Sequence, residues 1–215
     1  MYLSRLILNP TNRRVQRELA NPYELHRTLM RAFPDDLKEG DERVLFRVDA
    51  DPRSGALTLL MQSWDAPDWS WLDEPGARGY LLRPPETKSF DLQLSPGQML
   101  AFRLRANPTV KRRFPSGDHK RVGLYRTEEQ IAWLRRKGEQ GGFRLLSVRV
   151  TDESIARGAI YRQDGQRHKL NLLAVRFEGL LQVTDSELLR QVVRLGVGSG
   201  KGLGFGLLSL ARPAT

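Results

Sequence analysis

The hydrophobic period of this chain changes from two residues to 3.6 and back, and it does so twice in the same order. Alternating or β-rich apolar runs occur at Tyr2 to Leu8, Val44 to Val48, Ala56 to Met61 and Phe90 to Leu94. Between the first two, Asn21-Pro22 offers a cap and a first-turn proline, and Leu25, Leu29 and Phe33 fall on one helical stripe. The turn residues Asp51 to Gly55 join the second and third runs as a hairpin. A stretch with Trp64, Trp69 and Trp71, interrupted by Pro67, reads as a short helix or loop before the closing strand. The first half is thus β-α-β-β-(α)-β.

After Ser95-Pro96-Gly97 the pattern restarts. Leu100, Phe102 and Leu104 alternate with Ala101, Arg103 and Arg105, a strand with one apolar and one partly cationic face. Thr127 to Gln130 has capping-box spacing and opens a helix that stops at Gly141-Gly142. Phe143 to Val150 and Asn171 to Val183 are the next strands. A second capping box, Thr184 to Glu187, opens an amphipathic helix through Leu189 and Val193, and Gly206 to Leu210 closes. The expected class is α+β: two tandem ferredoxin-like βαββαβ domains with open antiparallel sheets, spanning 1–96 and 97–215. The open face of such a sheet can hold RNA.

Composition removes several chemistries. In 215 residues there is no cysteine, so neither a disulfide nor a thiolate nucleophile is possible. The three histidines, His26, His119 and His168, are too far apart in sequence for a local zinc motif, and no metal is expected. Arg5 breaks the opening apolar stretch, which ends at Pro10, so it does not read as a signal peptide. No later apolar run approaches a membrane span. The expectation is a soluble cytoplasmic protein with no membrane partner.

The net charge is +10, and it is unevenly spread. Between Ala101 and Arg126 stand Arg103, Arg105, Lys111, Arg112, Arg113, Lys120, Arg121 and Arg126, against a single acid, Asp118. Such a field attracts a polyanion and releases its counterions, which points to nucleic acid; the alternative is a solvated face that aids solubility.

Glycine occupies every second position from Gly196 to Gly206, with Lys201 among them. A nucleotide phosphate loop needs Ser or Thr after the lysine and a glycine at 195; the chain has Gly202 and Leu195. The dinucleotide fingerprint fails in every register, because its third glycine falls on Lys201, Leu203, Phe205 or Leu207. No nucleotide cofactor is expected. Gly198, Gly200, Lys201 and Gly202 instead offer unobstructed backbone N–H groups and one cation to an RNA phosphate, unless the glycines serve only a connector that needs positive φ.

His26 lies three residues after Tyr23 on the first helix, off the line of Leu25 and Leu29, with Arg27 and Arg31 adding charge on the flank nearest Tyr23. Its unperturbed pKa permits proton transfer in either direction at neutral pH; the plain alternative is a structural surface histidine. His119 and His168 sit among cations and read as parts of RNA-contacting segments. Ile155 to Lys169 reads as a hairpin about Asp164-Gly165, carrying Arg157, Arg162, Arg167 and Lys169; it can enter a nucleic-acid groove or merely protect an edge by charge.

Six stretches in order, MYLSRLIL, NPYELHRTL, FRLRANP, EEQIAWLRRK, FEG and GVGSGKGLGFGLLSLA, run from Met1 to Ala211. Together they resemble the CRISPR-associated repeat-RNA endoribonucleases of the CasE type, the crRNA-processing subunits of Cascade in the RAMP superfamily. The resemblance implies recognition of a repeat stem-loop, metal-independent cleavage at its 3′ base, retention of the product and association with other Cascade subunits. It implies that His26 and Tyr23 belong to the active site and that a cation from the second domain's hairpin joins them. Lys169 stands in that place, with Arg167 or His168 as substitutes. Cleavage would proceed by 2′-hydroxyl attack, leaving a 2′,3′-cyclic phosphate and a 5′-hydroxyl. The competing expectation is a non-catalytic RNA-binding scaffold of the same fold, in which His26 is only a contact.

Overall fold

A computed structural model of the protein describes residues 1–34, 44–115, 117–161 and 167–213. Two compact units are present: Met1–Asp91 with Arg157–Leu170 and Lys201–Gly204, and Leu92–Ala156 with Asn171–Gly200 and Phe205–Thr215. Each has its own core. The class is the expected α+β with open antiparallel sheets.

The first unit is built on β1 (Tyr2–Leu8), β2 (Leu45–Ala50), β3 (Leu57–Ser63) and β4 (Glu86–Ser89), in the order β2-β3-β1-β4. The central strand β1 pairs antiparallel with β3 from Tyr2↔Ser63 to Leu8↔Leu57, and with β4 from Tyr2↔Ser89 to Arg5↔Glu86. Leu6, Leu8, Leu59 and Met61 face a core that α1 (Arg13–Ala20) and α2 (Pro22–Met30) help to close through Val15, Leu25 and Leu29. α2 opens with Pro22 in the first turn as expected, although Asn21 makes no side-chain cap bond to it, and its stripe of Leu25 and Leu29 continues to buried Phe33.

Two features depart from expectation. α1 is absent from the sequence reading because Val15 and Leu19 are its only large apolar residues; it is fixed by Asn12, whose Oδ1 accepts from the Arg14 and Val15 amides at 2.9 and 3.2 Å. The closing strand is Glu86–Ser89, not Phe90 to Leu94. β4 is wholly exposed and carries no apolar residue, so hydrophobic alternation could not find it. Backbone pairing holds this edge, with a two-pronged Arg5–Glu86 ion pair across it.

The second sheet has the order β10-β5-β9-β8, from β5 (Met99–Ala106), β8 (Phe143–Tyr161), β9 (Arg167–Val183) and β10 (Leu208–Ala211). Leu100, Phe102, Leu104 and Ala106 are buried alternately along β5, and α3 (Thr127–Gln140) and α4 (Ser186–Leu195) cover the core with Trp133, Leu134, Leu189 and Val193. The described arms of the hairpin expected at Ile155 to Lys169 are ends of the long strands β8 and β9, and its expected turn at Asp164-Gly165 lies outside the described residues. An additional hairpin, β6 (Thr109–Arg113) with β7 (His119–Gly123), lies in the segment read only as a basic cluster.

Both expected capping boxes are corrected. α3 starts after Arg126 with no side-chain cap, and Gln130 is buried, donating to the Leu124 carbonyl at 3.0 Å. α4 is capped by Asp185, one residue later than expected, which accepts from the Glu187 and Leu188 amides. Among the described residues no helix is long and apolar enough to cross a membrane.

Candidate active site

The position of His26 is set from behind its helix. Glu18 of α1 is only 3% exposed and accepts three hydrogen bonds: from the Tyr80 hydroxyl at 2.6 Å, Thr28 Oγ1 at 2.7 Å and Arg14 Nε at 2.8 Å. A buried carboxylate needs such partners to offset its lost hydration. Burial, and then the Glu18 charge, hold the Tyr80 hydroxyl far above the usual phenol range, so it remains a donor. The Arg14 guanidinium lies 5.5 Å from the ring centroids of both Trp71 and Tyr80. Thr28, two residues beyond His26, is thereby tied to α1, which fixes both the turn and the depth of α2.

His26 is half-buried, and its ring lies nearly parallel to that of Phe46 in β2, 9° between planes and 6.3 Å between centroids. The short 3₁₀ turn Lys201–Leu203 rests against α2 and β2. A methyl group on Gly202 would lie 3.4, 3.5 and 3.6 Å from Nε2, Cδ2 and Cε1 of the His26 ring. Those nearly equal distances place it over the ring face. In the ring plane beyond Nε2 it would be clearly farther from both carbons. Nδ1 is buried and has no hydrogen-bond partner among the described residues. Burial lowers the His26 pKa from its ordinary value, further favouring the neutral imidazole that already prevails at pH 7.

The glycine-rich segment separates into two kinds of glycine. Gly196, Gly198, Gly200, Gly204 and Gly206 have φ between 78° and 87°, the left-handed region that side chains disfavour. Backbone geometry therefore accounts for five of the six. Among these six Gly202 alone has an ordinary φ, and it is the one at which an added Cβ would meet the His26 ring.

Tyr23 is half-buried on the first turn of α2. His168 and Lys169 are exposed on β9, in the same compact unit as α2. Arg157 is exposed on β8, Arg162 lies outside the described residues, and Arg167 is described only as the first residue of β9. Arg27 and Arg31 are engaged within the protein: Arg27 pairs with Glu24 at 3.3 Å, and Arg31 pairs with Glu74 at 2.5 Å while lying 5.2 Å from the Trp71 ring centroid. Arg103 bonds Glu178 across β5 and β9 at 2.7 Å, and Arg105 covers the Phe205 ring at 4.5 Å.

The remaining expected cations converge on the β6–β7 hairpin, where Lys111 stands opposite Arg121, Arg112 opposite Lys120 and Arg113 opposite His119, all exposed. Like charges directly across a ladder destabilise it. Two of these three rungs are doubly cationic, so the hairpin presents a strongly positive exposed surface.

The family described as CRISPR associated protein matches residues 1–212. The chain belongs to that family. It is 44% identical to the CRISPR-associated endoribonuclease Cse3 of Thermus thermophilus, covering 98% of this chain and 100% of that protein. It is 34% identical to the CRISPR system Cascade subunit CasE of Escherichia coli K12, over 98% and 99% of the two chains. The structure of Cse3 bound to a 19-nucleotide RNA superposes with a TM-score of 0.83 at 44% identity, over 98% of this chain and 100% of that one.

Sequence reasoning singled out His26 and Tyr23 as candidates but did not reveal Glu18 and Tyr80, which anchor the His26 helix through Thr28, or Phe46, which stacks on the His26 ring. Glu18 sits in a strongly polar helix and looks like half of a surface Arg14–Glu18 pair. Its burial follows from Tyr80, 62 residues away, which no local pattern reveals.

Proposed function

We propose that this protein is an endoribonuclease that binds the stem-loop of CRISPR repeat RNA and cuts at its 3′ base, acting in the cytoplasm and keeping the product for assembly with Cascade subunits. The observation that carries the reading is His26: a half-buried imidazole stacked on Phe46 and faced by the Gly202 turn, in a chain that matches Cse3 from end to end.

A neutral imidazole accepts a proton. His26 takes the proton of a ribose 2′-hydroxyl as that oxygen attacks the adjacent phosphorus; the bond from phosphorus to the 5′-oxygen breaks, and the leaving oxygen takes up a proton. The ends formed are a 2′,3′-cyclic phosphate and a 5′-hydroxyl. An imidazole that has received the proton in one half of the step can return it in the other. Tyr23, one turn earlier, orients the reacting strand, and Lys169 neutralises charge growing on the phosphoryl oxygens. The cationic rungs of β6–β7, with Lys201 and the neighbouring glycine amides, hold the RNA backbone.

The test is incubation of end-labelled repeat RNA in EDTA with the wild type and with His26→Ala. One cut at the 3′ base of the stem is expected from the wild type, with a loss of about 10²- to 10⁴-fold in the variant and RNA affinity retained. Equal cutting by both removes His26 from the chemistry and favours the scaffold reading.

A further inference from the structure

Asn21 immediately precedes α2, where an asparagine ordinarily accepts hydrogen bonds from the first helical amides. Here it makes no such bond. Its side chain instead turns to β8, where Nδ2 donates to the Ala159 carbonyl at 3.0 Å and Oδ1 accepts from the Ala159 amide at 3.2 Å. These two bonds to one residue reproduce the pair that a neighbouring strand would make. Ala159 is itself buried. The approach is so close that a Cβ on Gly158 would lie 2.6 Å from Asn21 Oδ1 and 3.4 Å from the Pro22 ring. The φ of Gly158 is outside the left-handed region, so contact with Asn21 explains this glycine and backbone conformation does not.

We propose that Asn21 is a positioning residue for RNA cleavage. Its amide clasps Ala159 and holds the end of β8, with the adjacent strand β9 that carries Lys169, at the first turn of the His26 helix. This rests on the assignment of His26 and Lys169 above. Only an amide supplies a donor and an acceptor side by side; the isosteric aspartate keeps the acceptor and sets a charged oxygen against the Ala159 carbonyl. Asn21→Asp therefore opens the clasp from the helix side, and Gly158→Ala opens it from the strand side without altering α2.

Single-turnover cleavage rates and dissociation constants on repeat RNA are to be measured for the wild type, Asn21→Asp, Gly158→Ala, Lys169→Ala and the Asn21→Asp/Lys169→Ala double variant. Asn21→Asp and Gly158→Ala are each expected to slow cleavage by about 10- to 100-fold, the cost of small misplacements of reacting groups, with affinity within about threefold of wild type. The double variant should be no slower than Lys169→Ala alone to within about threefold, because the clasp acts through that lysine. Wild-type rates in Asn21→Asp and Gly158→Ala, or multiplied losses in the double variant, overturn the proposal while leaving the endoribonuclease reading intact. Repeat RNA left whole by the wild type overturns that reading and the clasp's role with it. Should Asn21→Asp fail to fold, Gly158→Ala decides the matter.

Discussion

Tyr80→Phe removes one oxygen and leaves the packing of its ring on Trp71 and Arg14 in place. That oxygen donates a 2.6 Å hydrogen bond to Glu18, which is buried. A hydrogen bond to a charged group contributes about 1.5–3 kcal/mol. For a protein of this size each kcal/mol moves Tm by about 2–4 °C, so thermal melting should fall by about 3–12 °C. Glu18 keeps Thr28 and Arg14 as partners, so α2 stays in register and cleavage at 25 °C should remain within about threefold of wild type, since no reacting group moves far. Paired with Glu18→Gln, the loss should be clearly less than the sum of the single losses, because both substitutions disrupt one network. A Tm change below about 1 °C, or strictly additive losses, would refute the role given to this buried carboxylate.

Gly202→Ala should melt close to wild type, because its φ is ordinary and its methyl meets the His26 ring at contact distance, whereas Gly204→Ala, forced into φ 80°, should lose about 1–2 kcal/mol; urea melts of both compare the two kinds of glycine. The His26 pKa is lower folded than unfolded, so the unfolded chain binds more protons between that value and 6.5. Stability from this group is complete above pH 6.5 and is lost as pH falls through the folded pKa; acidification should destabilise wild type more than His26→Ala in paired denaturant titrations. Replacing Arg112 and Lys120 together by alanine should weaken RNA binding and lower the slope of log affinity against log salt by about one to two, measured by fluorescence anisotropy.

What the sequence disclosed, and what it hid, follows from the range over which each signal acts. Period and punctuation located α2, β1, β3, β5 and the glycine-rich turn, since each depends on neighbours within one element. The capping residues moved because Thr127 and Thr184 had competitors beside them: Asp185 takes the cap of α4, and Gln130 is drawn into the core by Leu124 and Glu153. β4 and the β6–β7 hairpin escaped because both are polar, and the hairpin's rungs carry charge where a strand pattern carries apolar residues. At the site, Tyr23 and His26 were visible as chemistry on one helix. The groups packed around the His26 helix, Glu18 bonded to Thr28 and Tyr80 and Phe46 stacked on His26, belong to other elements, so no pattern within α2 reveals them.

The central claim is that His26 lets the RNA cut itself through its own sugar hydroxyl. The most direct measurement is cleavage in EDTA of a repeat RNA carrying a single 2′-deoxy sugar immediately upstream of the cut, beside the all-ribose strand. The all-ribose RNA should yield a fragment with a 2′,3′-cyclic phosphate, while the deoxy strand binds comparably and stays whole. Scission of the deoxy strand at the same position would contradict the mechanism and the place given to His26 in it.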